Sequence, residues 1–147
     1  MRWKLLSEQG GERTFALVFE TGDEVASELE RFAREQSLSA ARVSGIGALR
    51  DVTLGYFNWE TKEYDENRFD EQVEIVSLLG DVATKDGEPA LHAHLAVGRA
   101  DGTALGGHLV EAHVRPTLEL VVVESPAHLR KRFDPETGLA LISLDGD

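Results

Sequence analysis

His92 and His94 lie two residues apart in "LHAHL", and His108 follows in "GGHL". They are three of the chain's five histidines. If Leu91 to Val97 is a strand, its side chains alternate between faces. His92 and His94 then share one face, while Leu91, Ala93, Leu95 and Val97 share the other, which is apolar enough to be core. Two imidazoles at that spacing can hold one metal ion between them. Gly106 and Gly107 allow a sharp bend just before His108, so the chain can return on a loop and bring a third nitrogen to the pair. Three neutral imidazoles suit Zn, Fe, Ni or Cu better than Mg or Ca, which prefer oxygen. With a fourth position open, such a set is the pattern of catalytic zinc, which activates water near neutral pH. Spacing alone leaves a second reading open, in which these are half-exposed histidines of an ordinary sheet.

The other candidates stand more alone. His113 and His128 are each isolated in their stretch and read as surface or packing residues. Glu74 in "VEIV", Glu119 in "LELVVV" and Glu111 just after "GGHL" could serve as acid/base partners or lie on a solvated sheet face. No GxGxxG, GxxxxGK[ST] or GxSxG occurs, and "SGIGAL" lacks the phosphate-loop pattern. Ser44, Ser77 and Ser143 have no triad context.

The elements that must position the histidines follow from periodicity. Thr14 to Glu20 reads as a strand. Thr21 and Glu24 fit a capping box, and Val25, Leu29, Phe32 and Ala33 then mark one helical face, so a helix is predicted over 23–35. Ala41 to Val43 and Val52 to Phe57 read as two strands. Gly45 and Gly47 between them suggest a bulge or a close backbone approach. Residues 58–70 read as a loop or hairpin. "EQVEIVSLLGDVATKDGEPALHAHLAVG" reads as two strands around Asp86-Gly87, a strong hairpin signal. Asp101-Gly102 marks the next turn, Pro116 to Glu124 a further strand, and "DPETG" a turn before a last apolar stretch. One helix among many strands with short connections predicts an α+β fold with a mostly antiparallel sheet, in one domain over 1–147.

Bulk composition narrows the function. The net charge of −12 repels phosphate backbones, which makes nucleic acid an unexpected partner. Its densest basic stretch, "LRKRF" at 129–133, is short and flanked by acid. Without cysteine, thiolate catalysis, disulfides and thiolate-held metal sites are excluded. No apolar run approaches the roughly 20 residues of a membrane span. The N-terminus turns polar after Leu6, unlike a secretory signal, so the cytoplasm is the expected compartment.

Taken together, "VSGIGALRDVTLGYF", "VEIVSLLGDVA", "LHAHLAVGRADGTALGGHL" and "VRPTLELVVVE" resemble the plant and prokaryote conserved (PPC) domain family nearly end to end. The resemblance implies an α+β fold, a homotrimer, and a metal on the histidines of "HxH" and "GGH", here His92, His94 and His108. Plant members join the domain to a basic AT-hook that enters A·T-rich DNA, and prokaryotic members often carry a DNA-binding label by association. No "RGRP"-like hook occurs here. The expectation is therefore a small metal-binding homotrimer, zinc first among the divalent transition metals, with a small-molecule ligand; metal-assisted hydrolysis or hydration and a non-catalytic sensing or assembly role are equally open as its function. DNA binding is the alternative. A cupin is a third, but cupins place a glutamate soon after "HxH", and here Val97, Gly98 and Arg99 follow.

Overall fold

The computed structural model describes residues 1–144. Strand β1 (Arg2–Gln9) precedes the first strand expected from the sequence, which is β2 (Glu12–Glu20). The two form a hairpin through Gly10 and Gly11, both at positive φ. β1 is exposed along its whole length, so its pattern carries little burial signal. Its anchor is Trp3, whose ring meets Phe15 and Phe32 edge-on.

Helix α1 (Val25–Glu35) buries Val25, Leu29, Phe32 and Ala33, the face that periodicity predicted. Its start differs from the expected one at Asp23. Asp23 is engaged elsewhere, accepting from the Glu20 amide and pairing with the N-terminal ammonium. Glu24 is itself the N-cap, and its carboxylate accepts from the Ala26 and Ser27 amides. The Thr21 hydroxyl donates to the Pro116 carbonyl instead of closing a capping box.

The two strands expected at 41–43 and 52–57 are one, β3 (Ala40–Asn58). The glycines shift its register between Gly45 and Gly47 without breaking it. β4 (Glu63–Phe69) folds back on the second half of β3, so residues 58–70 form a hairpin. β5 (Val73–Lys85) and β6 (Glu88–Gly98) form the expected hairpin. Asp86 and Gly87 both take positive φ, as a two-residue mirror-image turn requires. β7 (Ala104–Glu124) begins well before the strand expected at Pro116, and β8 (Arg130–Asp134) and β9 (Leu139–Ser143) close the described chain.

β7 pairs with β2, β3 and β6, and β3 pairs with β4, β5 and β7. Because β5 also pairs with β6, the pairings β3–β5–β6–β7 close on themselves. Every pairing is antiparallel except β5 with β8, which meet in parallel at Thr84 and Arg130, so the sheet is mixed. One hydrophobic cluster joins α1 to the inner faces of these strands. No helix among the described residues is long and apolar enough to cross a membrane.

The fit of β3 against β7 is tight. A Cβ at Gly45 would collide with the Leu120 side chain and the Glu119 carbonyl. One at Gly47 would lie 2.5 Å from the Thr117 carbonyl and 2.6 Å from Leu118 Cα. Gly45→Ala is therefore expected to cost about 2 kcal/mol through forced backbone displacement. Urea denaturation of the variant checks this, and unchanged stability would contradict the close packing.

Candidate metal centre

Alternation along β6 turns Ala93, Leu95 and Val97 inward and leaves His92 and His94 outward, as the sequence pattern requires. His94 lies directly across the β6–β7 ladder from His108. His108 therefore stands inside a strand and not on a returning loop as the two glycines suggested. Gly106 and Gly107 are ladder residues opposite Ala96 and Leu95. A Cβ at Gly107 would lie 2.9 Å from the Gly55 carbonyl, so that glycine serves close strand approach.

The three rings face one another with centroids 5.2, 5.3 and 5.4 Å apart. Each offers a nitrogen within 4.8 Å of the other two. Tyr64 of β4 stacks on His108 at 4.6 Å and 23°. The space for that ring comes from Gly55, which pairs with His108 across β3 and β7. A Cβ there would lie 2.8 Å from Tyr64 Cδ1.

The electrostatics favour the neutral form of His94 and His108. His108 Nδ1 is buried without a hydrogen-bond partner. Burial, then His92, His94 and Lys131, push its pKa down to about 4. Burial and His92 also lower His94. A neutral imidazole keeps the lone pair that a metal needs. On the other side of the cluster, His92 Nδ1 faces Asp81 Oδ2 at 3.4 Å. Asp81 Oδ1 lies 2.9 Å from Lys131 Nζ, whose side chain is almost fully buried.

Asp81 is the acid that the sequence reading missed. Its signal was present: counting five residues outward on each side of the Asp86-Gly87 turn sets Asp81 opposite His92, as observed. Glu74, Glu111 and Glu119, the acids that were singled out, lie exposed and opposite residues other than the histidines of the cluster. His113 and His128 pack away from the cluster. His113 Nδ1 sits 2.7 Å from Asp51 Oδ1, and His128 Nδ1 bonds the Ser39 hydroxyl. Burial works against the Asp51 charge, yet the hydrogen bonds from His113 and Arg50 hold its carboxyl below the ordinary range.

Comparison with known proteins agrees with this architecture. The model of the Plants and Prokaryotes Conserved (PCC) domain matches residues 6–126, and the chain belongs to that family. A metal-containing protein from Archaeoglobus fulgidus is 34% identical and superposes with a TM-score of 0.83 over 97% of this chain and 99% of that one. A provisionally named DNA-binding protein from Bacteroides thetaiotaomicron is 30% identical, with a TM-score of 0.85 over 96% of each chain. A bifunctional GlmU protein from a Synechococcus strain is 38% identical across 92% of this chain, which spans about a fifth (21%) of that relative's length.

The depressed pKa of His108 has a consequence for stability. Unfolded His108 takes up a proton near its ordinary pKa, whereas the folded residue does so only near pH 4. Its contribution to metal-free stability is therefore complete above the ordinary value and is lost as pH falls toward about 4. In His108→Phe, which keeps a ring under Tyr64 but removes the titration, the urea midpoint should fall less between about pH 7 and pH 4. Parallel pH profiles for the two proteins would contradict this assignment.

Proposed function

We propose that this chain is a metal-binding protein in which His92, His94 and His108 hold a divalent transition ion, zinc before others. The carrying observation is the convergence of three ligand nitrogens, each within 4.8 Å of the other two, from two adjacent strands. The donor set fits such an ion. All three groups are imidazoles, two have depressed proton affinity, and one nitrogen is buried without a partner. The metal-containing Archaeoglobus neighbour supports the same reading. A bound ion would supply Lewis acidity, which suits hydrolysis or hydration of a small molecule. The chain's own residues orient the donors. Asp81 faces Nδ1 of His92 and so favours Nε2 as its ligand atom, and Tyr64 fixes the plane of the His108 ring.

We further propose that the protein works as a homotrimer. The support is an exposed apolar face outside the core. Leu79 and Ile46 are more than 60% exposed, at 62% and 63%, and Val121 lies on the same face. Leu79 and Val121 both pair with Ser44, and Leu79 also pairs with His94, so the patch runs up to the histidines. Large apolar side chains clustered in this way mark association surfaces. DNA binding, the activity in the name of the Bacteroides neighbour, is the weaker reading, because the −12 charge leaves few phosphates that could be neutralised.

Two measurements check these readings. Mass spectrometry of the purified, untagged protein should find close to one transition metal ion per chain, lost in His92→Ala/His94→Ala. Absence of metal even after reconstitution with zinc would return the histidines to the sheet surface. Leu79→Asp should shift sedimentation from trimer toward monomer while the helix and sheet signals persist. An unchanged sedimentation coefficient would remove this face from the assembly.

A further inference from the structure

Past residue 126, where the match to the family model ends, the chain forms the β8–β9 hairpin. Three contacts tie it to the sheet beside the histidines. Thr84 pairs with Arg130, the Thr84 amide donates to the Leu129 carbonyl at 2.8 Å, and Lys131 reaches Asp81. Held there, the hairpin turns an open sheet face into a cleft of about 540 Å³. His92 and His108 line it together with Leu139, Leu141 and Ile142 from β9. This volume suits a small organic molecule.

The chemistry of the lining selects among small molecules. Lys85 and Lys131 line the cleft with one carboxylate, Glu30, and Asp81 stands behind Lys131. Glu30 also pairs with Arg34 of its own helix at 3.9 Å, so the acids do not outnumber the bases. A divalent ion on the histidines would then leave the polar part of the cleft net positive, while the β9 side chains that line it are apolar. An uncharged ligand would leave that field unanswered, and a polyanion would set its outer charges against leucine and isoleucine. We propose that the cleft binds a small aliphatic carboxylate, with its charged head toward His92 and His108 and its hydrocarbon body against Leu139, Leu141 and Ile142. The proposal rests on the reading of the histidines as a metal centre.

The test uses the full chain loaded with cobalt, whose visible spectrum reports its ligands. The probes are 4-methylpentanoate and its neutral isostere 4-methylpentanamide, titrated by absorbance and by calorimetry. The carboxylate should bind saturably and alter the cobalt bands, with the amide at least about tenfold weaker. Leu141→Asp should weaken the carboxylate about tenfold more. Leu141 is 43% exposed, so this variant should keep its fold and its cobalt, both checked on the same sample. Ala140→Trp, which fills the cleft, gives a second and independent loss. If cobalt binds but the carboxylate has no advantage over the amide, the ligand proposal falls and the metal reading stands. The proposal falls equally if both variants bind the carboxylate as the native chain does. If cobalt itself fails to bind, the metal reading falls and takes the proposal with it.

Discussion

The pairing of β3 with β7 runs from Ala41 opposite Glu124 to Gly55 opposite His108, and the rest of the molecule hangs on it. At one end it requires Gly45 and Gly47, because the carbonyls and side chains of residues 117–120 leave no room for a Cβ. At the other end it sets Gly55 against His108, and that missing side chain is what admits Tyr64. In between, it brings Asp51 to His113. β2 and β6 add to β7, and β4 and β5 add to β3, so this one register places every strand that touches the histidines. A slip by one residue would turn His108 to the core and an apolar neighbour to the site.

Given that frame, the electrostatics of the cluster follow from what surrounds it. Three imidazoles that all became charged would repel one another across about 5 Å. Packing against Tyr64 removes water from His108 and penalises its cation further, and Lys131 adds a like charge nearby. At His92 the Asp81 carboxylate lies between the imidazole and the lysine, 3.4 Å from the one and 2.9 Å from the other. The cluster is thus graded. His92 has an acid beside it, while Tyr64, the other two imidazoles and Lys131 bear on His108. In such surroundings a metal cation would meet lone pairs on His94 and His108 that burial and neighbouring charges keep free of protons.

Much of this was legible in the sequence, and the residues show why. "HAH" in an alternating apolar run gave both the strand and the outward face of the histidines. Asp86-Gly87 gave the hairpin, and its two-residue length sets Asp81 opposite His92. The helix face was readable from Val25, Leu29, Phe32 and Ala33. Its first residue was not, because Asp23 is claimed by the chain terminus, a contact that only the fold creates. β3 read as two strands because glycine weakens a local pattern, and the backbone of β7 that makes those glycines fit is some 70 residues away in sequence. β1 escaped because it lies exposed on the outside of β2. The assignment of His108 to a loop had the same origin as the split of β3: a pair of glycines signals flexibility locally but serves close approach here.

The metal reading and the assembly reading are coupled through His94. Its cross-strand neighbour on β5 is Leu79, one of the most exposed apolar side chains in the chain. Covering Leu79 with a second copy would exclude solvent from that edge of the His94 ring, and drying penalises an imidazolium more than a neutral ring. The proton affinity of His94, already depressed by burial and by His92, would fall further. Association would thus favour the form of His94 that can ligate. By linkage, an ion that selects the neutral form would in turn favour association. The apolar patch and the histidine cluster share a ladder position, so each should be weaker without the other.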